Sequence, residues 1–221
     1  MRQSDDAEQG EEPVAPTDGI LAGTPIATPA GWRRVETLRP GDAVLTFEAG
    51  EQRLEQVNHH LAGEDDIGDW PQGHWPLQVP VGALENREEI VLLRDQRVLI
   101  ESDAADDLYG DPFTLIPAVA LQGYRGIDLC RPPGAAEAVR LGFAADQIVY
   151  AARGALLACP EMQLGLHADI DALKRRAARG DYPALSDAQA RELVICLIAE
   201  DLGAALRVAG RPASRDQAAF F

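Results

Sequence analysis

From about residue 19 to residue 160, short apolar runs rich in Val, Ile, Leu and Thr alternate with glycine and proline, as in VETLRPGDAVLTFEAG, PLQVPVG, EEIVLLRDQRVLIES and DQIVYAARGALLA. Runs of about four to eight residues between such breakers predict strands, because a helix needs roughly ten residues or more to present an apolar face. This stretch therefore reads as an all-β region. Within it, Ala30-Gly31 fits a hairpin turn after Ile26-Ala27-Thr28. Pro40-Gly41-Asp42 fits a tight turn feeding Ala43 to Thr46, with Asp42 bonding its own backbone.

Elsewhere the pattern changes. Residues 1–18 are acidic and almost without apolar side chains, so they bury too little surface to offset the entropy of ordering and predict a disordered tail. Residues 58–76 (NHHLAGEDDIGDWPQGHWP) are polar and rich in glycine and proline, which predicts a long surface loop whose Trp70 and Trp75 either anchor a partner or fold back and hold the loop on its own domain. Residues 131–137 predict a second loop. In ADIDALKRRAAR (168–179) a helix is expected, stopped by Gly180 and with its cations in the last turns. Ser186 with Gln189 then makes a capping-box start. Leu193, Val194, Leu197, Leu202 and Leu206 follow at helical spacing, with Gly203 weakening the later turns. The expected organisation is a tail (1–18), a β domain (19–165) and a two-helix appendage (166–221) whose apolar face covers the β domain.

Charge narrows the partners. With 36 acidic and 20 basic residues the net charge is −16, and Lys174 is the single lysine. Such a field repels phosphate backbones and anionic lipid, so the expected partner is another protein rather than nucleic acid or membrane. The opening residues lack the apolar core of a secretory signal and no run reaches the ~18 apolar residues of a membrane span, which predicts a cytoplasmic chain. Cys130, Cys159 and Cys196 are widely spaced with no CxxC, and read as core residues. His59 and His60 are adjacent and point apart on a strand, while His74 and His167 stand alone, so neither a metal site nor a cofactor is expected. The carboxylates Glu64, Asp65, Asp66 and Asp69 read as a solvated loop.

The run AGTPIATPAGWRRVETLRPGDAVLT (22–46) is similar to the opening of bacterial Hint (Hedgehog/intein) domains. LLRDQRVLIESDAADDLYGDPFTLIPAVAL resembles their middle block, a strand, a D-H-R-V-L segment and an aromatic-rich hairpin ending in a valine-and-alanine strand, and DQIVYAARGALLACPEM resembles their late block. The resemblance implies a mainly β, horseshoe-like fold of short strands with a helical appendage. It also implies autoprocessing, in which a Cys, Ser or Thr at the first residue attacks the preceding carbonyl and a histidine of the middle block protonates the leaving amine. At those positions this chain carries Gly19 for the nucleophile, Gln96 for the histidine and Gln147 where relatives have a late histidine. Glycine has no side chain, and an amide does not exchange a proton near neutral pH. Thr17 or Thr24 would serve only by a shift of register, and Asp18 only by promoting local cleavage. Two functions are therefore expected in order: an inert Hint-like scaffold, either structural or binding a protein with Trp70 and Trp75 as candidate anchors, then residual self-cleavage near Gly19 releasing 1–18.

Overall fold

The computed structural model describes residues 17–61, 70, 72–132, 136–160 and 182–209. They form two antiparallel sheets. The first contains β1 (Ile20–Leu21), β6 (Gln56–Leu61), β7 (Leu77–Val79), β8 (Ile90–Leu92), β11 (Asp128–Leu129) and β12 (Glu137–Gly142), in the order β11-β7-β8-β1-β12-β6. The second follows the order β10-β9-β14-β13-β2-β3, built from β2 (Pro25–Thr28), β3 (Gly31–Arg34), β9 (Arg97–Glu101), β10 (Phe113–Pro117), β13 (Gln147–Ala151) and β14 (Ala155–Cys159). To it β4 (Ala43–Thr46) joins through β13, with β5 (Gly50–Arg53) on its outer side.

Both expected turns form. Thr28 faces Gly31 across the first hairpin, which places the bend at Pro29-Ala30, one residue earlier than the sequence suggests. In the second turn Gly41 takes φ +91°, and Asp42 Oδ2 accepts from the Arg39 amide at 2.9 Å and from Arg33 Nη1 at 3.0 Å. The larger of two apolar clusters runs through both sheets. Ile20, Leu77, Leu92 and Val139 supply it from the first, and Ile26, Val44, Val98, Ile116, Val149 and Leu157 from the second.

Three expectations need correction. In the middle block β9 and β10 pair antiparallel, as the expected hairpin requires, but their connection is a helix, α1 (Asp103–Tyr109), that the sequence does not suggest. Ser102 Oγ accepts from the Ala105 amide at 3.0 Å, and Gly110 closes the helix at φ +75°. These are ordinary cap residues, but seven residues are too few to show a helical period. The PAVAL stretch expected as a strand is a 3-10 turn over Ala118–Leu121. The loop expected over 58–76 is shorter, because 58–61 complete β6, paired from Glu137↔Leu61 to Gly142↔Gln56. Residues 62–69 and 71 lie outside the described residues, as do most of the expected tail, part of the 131–137 loop and the whole expected 168–179 helix.

The second helix of the appendage is α2 (Asp187–Ala209). Its capping box forms as the sequence suggests, with Gln189 Oε1 accepting from the Ser186 amide at 3.1 Å and Ser186 Oγ accepting back from the Gln189 amide. Ala190, Leu193, Val194 and Leu197 are buried against the β core. Polar ties hold the same face: Glu200 Oε1 accepts from the Ala104 amide at the start of α1, and the Arg125 guanidinium forks onto both Asp201 oxygens at 2.7 Å. Gly203, in the exposed half of α2, has nothing within 4 Å of an added Cβ. Gly203→Ala is expected to raise stability by about 1 kcal/mol, the usual helix-interior difference, which urea unfolding will read directly.

Candidate functional site

Strand β1 begins immediately after Gly19 and is inserted between β8 and β12, with Ile20 opposite both Leu92 and Val139. The residues before it are strapped across the turn that joins β8 to β9, since the Thr17 carbonyl accepts from the Asp95 amide at 2.7 Å. Gln96 occupies that turn and is only 2% exposed. Its side-chain amide donates to the Arg97 and Ala158 carbonyls, each at 3.0 Å, so it laces the turn to β14. Gly19 and Gln96 line one cavity of about 260 Å³ with Asn58, Arg140 and Cys159. The fold thus brings together the two positions that the resemblance pairs.

Gln147 stands apart from them. It opens β13 opposite Cys159 and lines an adjoining cleft of about 980 Å³, which shares Asp18, Cys159 and Pro160 with the smaller cavity. Carboxylates dominate the charged lining of this cleft, Asp18, Glu48, Asp95 and Asp146 against Arg97. The Tyr182 hydroxyl donates to Glu48 Oε1 at its edge. Burial, then that carboxylate, pushes the phenol's pKa well above its usual value.

The smaller cavity contains little that can attack a carbonyl. Gly19 adopts φ +116°, a left-handed conformation that favours glycine, and an added Cβ would sit 3.5 Å from Ala138 Cβ, Arg140 Cγ and the Val139 carbonyl. A nucleophilic side chain here would fit the space but strain the backbone. Among the described residues the lining holds no serine or threonine, and Thr17 and Thr24 line neither cavity. Cys159 has the one thiol, and burial followed by the nearby Asp18 charge pushes its pKa up to about 12. Near neutral pH it is a thiol and not a nucleophile.

That shift makes a prediction. The thiol ordinarily ionises near 9.0 and in the folded chain near 12, so its contribution to stability is complete below pH 9 and is lost as pH rises from 9 towards 12. Cys159→Ala is therefore expected to flatten the alkaline fall in stability by about one proton's slope, ~1.4 kcal/mol per pH unit. Denaturation series at pH 8 to 11 on both proteins test this.

Of the two arrangements the sequence leaves open for the tryptophans, the structure has the one in which they fold back onto the domain. Trp70 is 9% exposed and Trp75 half-buried, and together they pack with Leu21, Leu93, Ala136 and Ala138. Trp75 Nε1 donates to the Trp70 carbonyl at 3.0 Å, satisfying the indole within the loop. Large rings beside an apolar strand surface gain more by covering it than by facing water. His59 Nδ1 lies 2.5 Å from Glu137 Oε1, while His60, next along β6, points to the other face of the sheet. Among the described residues no three His, Cys, Asp or Glu side chains group as metal ligands.

Asn58 and Arg140 were invisible as site residues in the sequence. They face each other across β6 and β12, 82 positions apart and in no motif, so only the strand register brings them to Gly19. Cys159 was read as core, and it is buried, yet it also faces both cavities.

Among solved structures the chain is similar to a bacterial intein-like domain from Clostridium thermocellum, at 17% identity and a TM-score of 0.40 over 63% of this chain and 97% of that one. It is also similar to the MchDnaB-1 intein, at 15% identity and 0.39 over 62% and 98%, and to a splice-inactive AceL NrdHF class 3 split intein, at 10% and 0.42 over 66% and 99%. No curated protein matches. The family model described as the Hint domain matches residues 19–156, from the glycine that opens β1 into β14 and across more than half of the sequence, and the chain belongs to the Hint domain family.

Proposed function

We propose that this chain is a catalytically inert Hint scaffold that serves as a structural or protein-binding module in the cytoplasm. One observation carries the reading: the cavity where Gly19 and Gln96 meet offers neither an activated nucleophile nor an acid for the leaving amine. Gly19 has no side chain, Gln96 spends its amide on two backbone carbonyls, and the Cys159 thiol is held neutral by burial. The strong negative charge favours a protein partner over nucleic acid or membrane. No helix among the described residues is long and apolar enough to cross a membrane. Of the two tryptophans, Trp75 keeps surface for a partner to touch, and Trp70 acts by holding the loop in place.

The test is the intact mass of the purified chain after long incubation with and without dithiothreitol. The mass is expected to stay unchanged in both. Thiol-dependent release of residues 1–18, leaving a product that starts at Gly19, is the outcome that overturns the reading.

A further inference from the structure

Helix α2 is apolar on two faces. One face, Ala190, Leu193, Val194 and Leu197, is buried in the core. On the other, Ile195 is 68% exposed, Ile198 37%, Leu202 61% and Leu206 73%. Steps of three and four residues place these four side chains in one stripe, flanked by the small, exposed Ala199 and Ala205. The sequence reading sent Leu202 and Leu206 to the β domain, and the structure turns them away from it. A helix with an apolar stripe on each side is suited to being covered on both. Glu200 and Asp201 point to the packed side of the helix, Glu200 at the start of α1 and Asp201 with Arg125, and Glu192 is the exposed carboxylate one turn before Ile195.

We propose that the outer stripe of α2 is covered by residues 210–221 of the same chain, GRPASRDQAAFF. The segment leaves the helix where the stripe ends. Gly210 and Pro212 are the residues that stop a helix and turn the chain. The nine residues after Pro212 span up to ~30 Å when extended, against ~16 Å for the stripe from Ile195 to Leu206, so Phe220 and Phe221 reach its whole length. The charges agree as well: the segment has Arg211 and Arg215 against Asp216, on a chain of net charge −16. Asp103, Asp106 and Asp107 lie on α1, which packs beside this helix. Tethering supplies the occupant at a high local concentration, whereas a second copy brings the same negative charge against this one.

The experiment compares the full chain with two full-length variants, Phe220→Ser/Phe221→Ser and Leu202→Glu, by light scattering on a sizing column and by fluorescence of the apolar dye anilinonaphthalene sulfonate. Both changes fall outside the β core, so the fold is expected to persist, and far-ultraviolet circular dichroism verifies it. The full chain is expected to be monomeric with little dye bound. Phe220→Ser/Phe221→Ser is expected to raise dye fluorescence several-fold or to produce dimers, and adding Leu202→Glu to it should abolish that gain. Two outcomes overturn the proposal. One is a full-length dimer that Leu202→Glu dissociates and the phenylalanine changes leave intact, which assigns the stripe to a second copy. The other is a monomer whose dye binding the phenylalanine changes do not alter.

Discussion

Gly154→Ala is expected to destabilise the chain by about 3 kcal/mol or more, within the range for overpacked sites, and to be the most damaging glycine substitution in the fold. A Cβ at this position would lie 1.9 Å from the Glu85 carbonyl oxygen and 2.6 Å from its carbon. The obstacle is backbone rather than a side chain that can swing away. Nor is the surrounding backbone free to yield. Gly154 ends the turn between β13 and β14, where Ala152 at φ 45° and Arg153 at φ 61° already sit in the left-handed region, and Glu85 opposite adopts φ 59°. The two segments are tied by the Arg87 amide to the Ala152 carbonyl at 2.8 Å and by Arg153 Nε to Glu88 at 2.5 Å, while the Ala152 amide donates to the Pro25 carbonyl at 2.9 Å. Relief requires breaking at least one tie in addition to moving Glu85. Urea midpoints for Gly154→Ala and Gly203→Ala, opposite in sign and alike in chemistry, measure the effect against an internal control. Equal midpoints for Gly154→Ala and the parent would mean that the 83–88 segment is not pressed onto this turn.

That close approach could not be read from the sequence, because it joins residues almost seventy positions apart through strand pairing alone. Local features were far more legible. The turns at Pro29-Ala30 and Gly41, the short strands and the Ser186–Gln189 cap each depend on neighbours within a few residues, which the apolar pattern and the turn residues encode. Helix α1 was missed because its caps are the only signal that seven residues provide. The pairing of Gly19 with Gln96 was legible only through the resemblance, whereas Asn58, Arg140 and the cavity-facing side of Cys159 depend on register. The packing of the tryptophans is illegible for a different reason. Sequence shows that a polar segment contains two large rings, but whether they face out depends on apolar surface offered by Leu21 of β1, Ala138 of β12 and Leu93 in the turn after β8, which strand pairing brings together.

The second large effect is expected at Gln96, where Gln96→Ala should cost about 3 kcal/mol while leaving the mass of the chain unchanged in the presence of thiol. The side chain is almost fully buried and bridges two carbonyls, one on Arg97, the first residue of β9, and one in β14. Truncation removes both donors' bonds at once and opens a void beside the 260 Å³ cavity, so the unmet carbonyls and the lost packing add. Gln96→His should cost less, since an imidazole keeps ring volume and one N–H to offer, though it satisfies one of the two carbonyls rather than both. Here the amide holds the β8–β9 turn against β14, and its loss is read in stability. If Gln96→Ala unfolds with the same midpoint as the parent, the structural role fails; if it is less stable and equally uncleaved, the position has passed from chemistry to architecture.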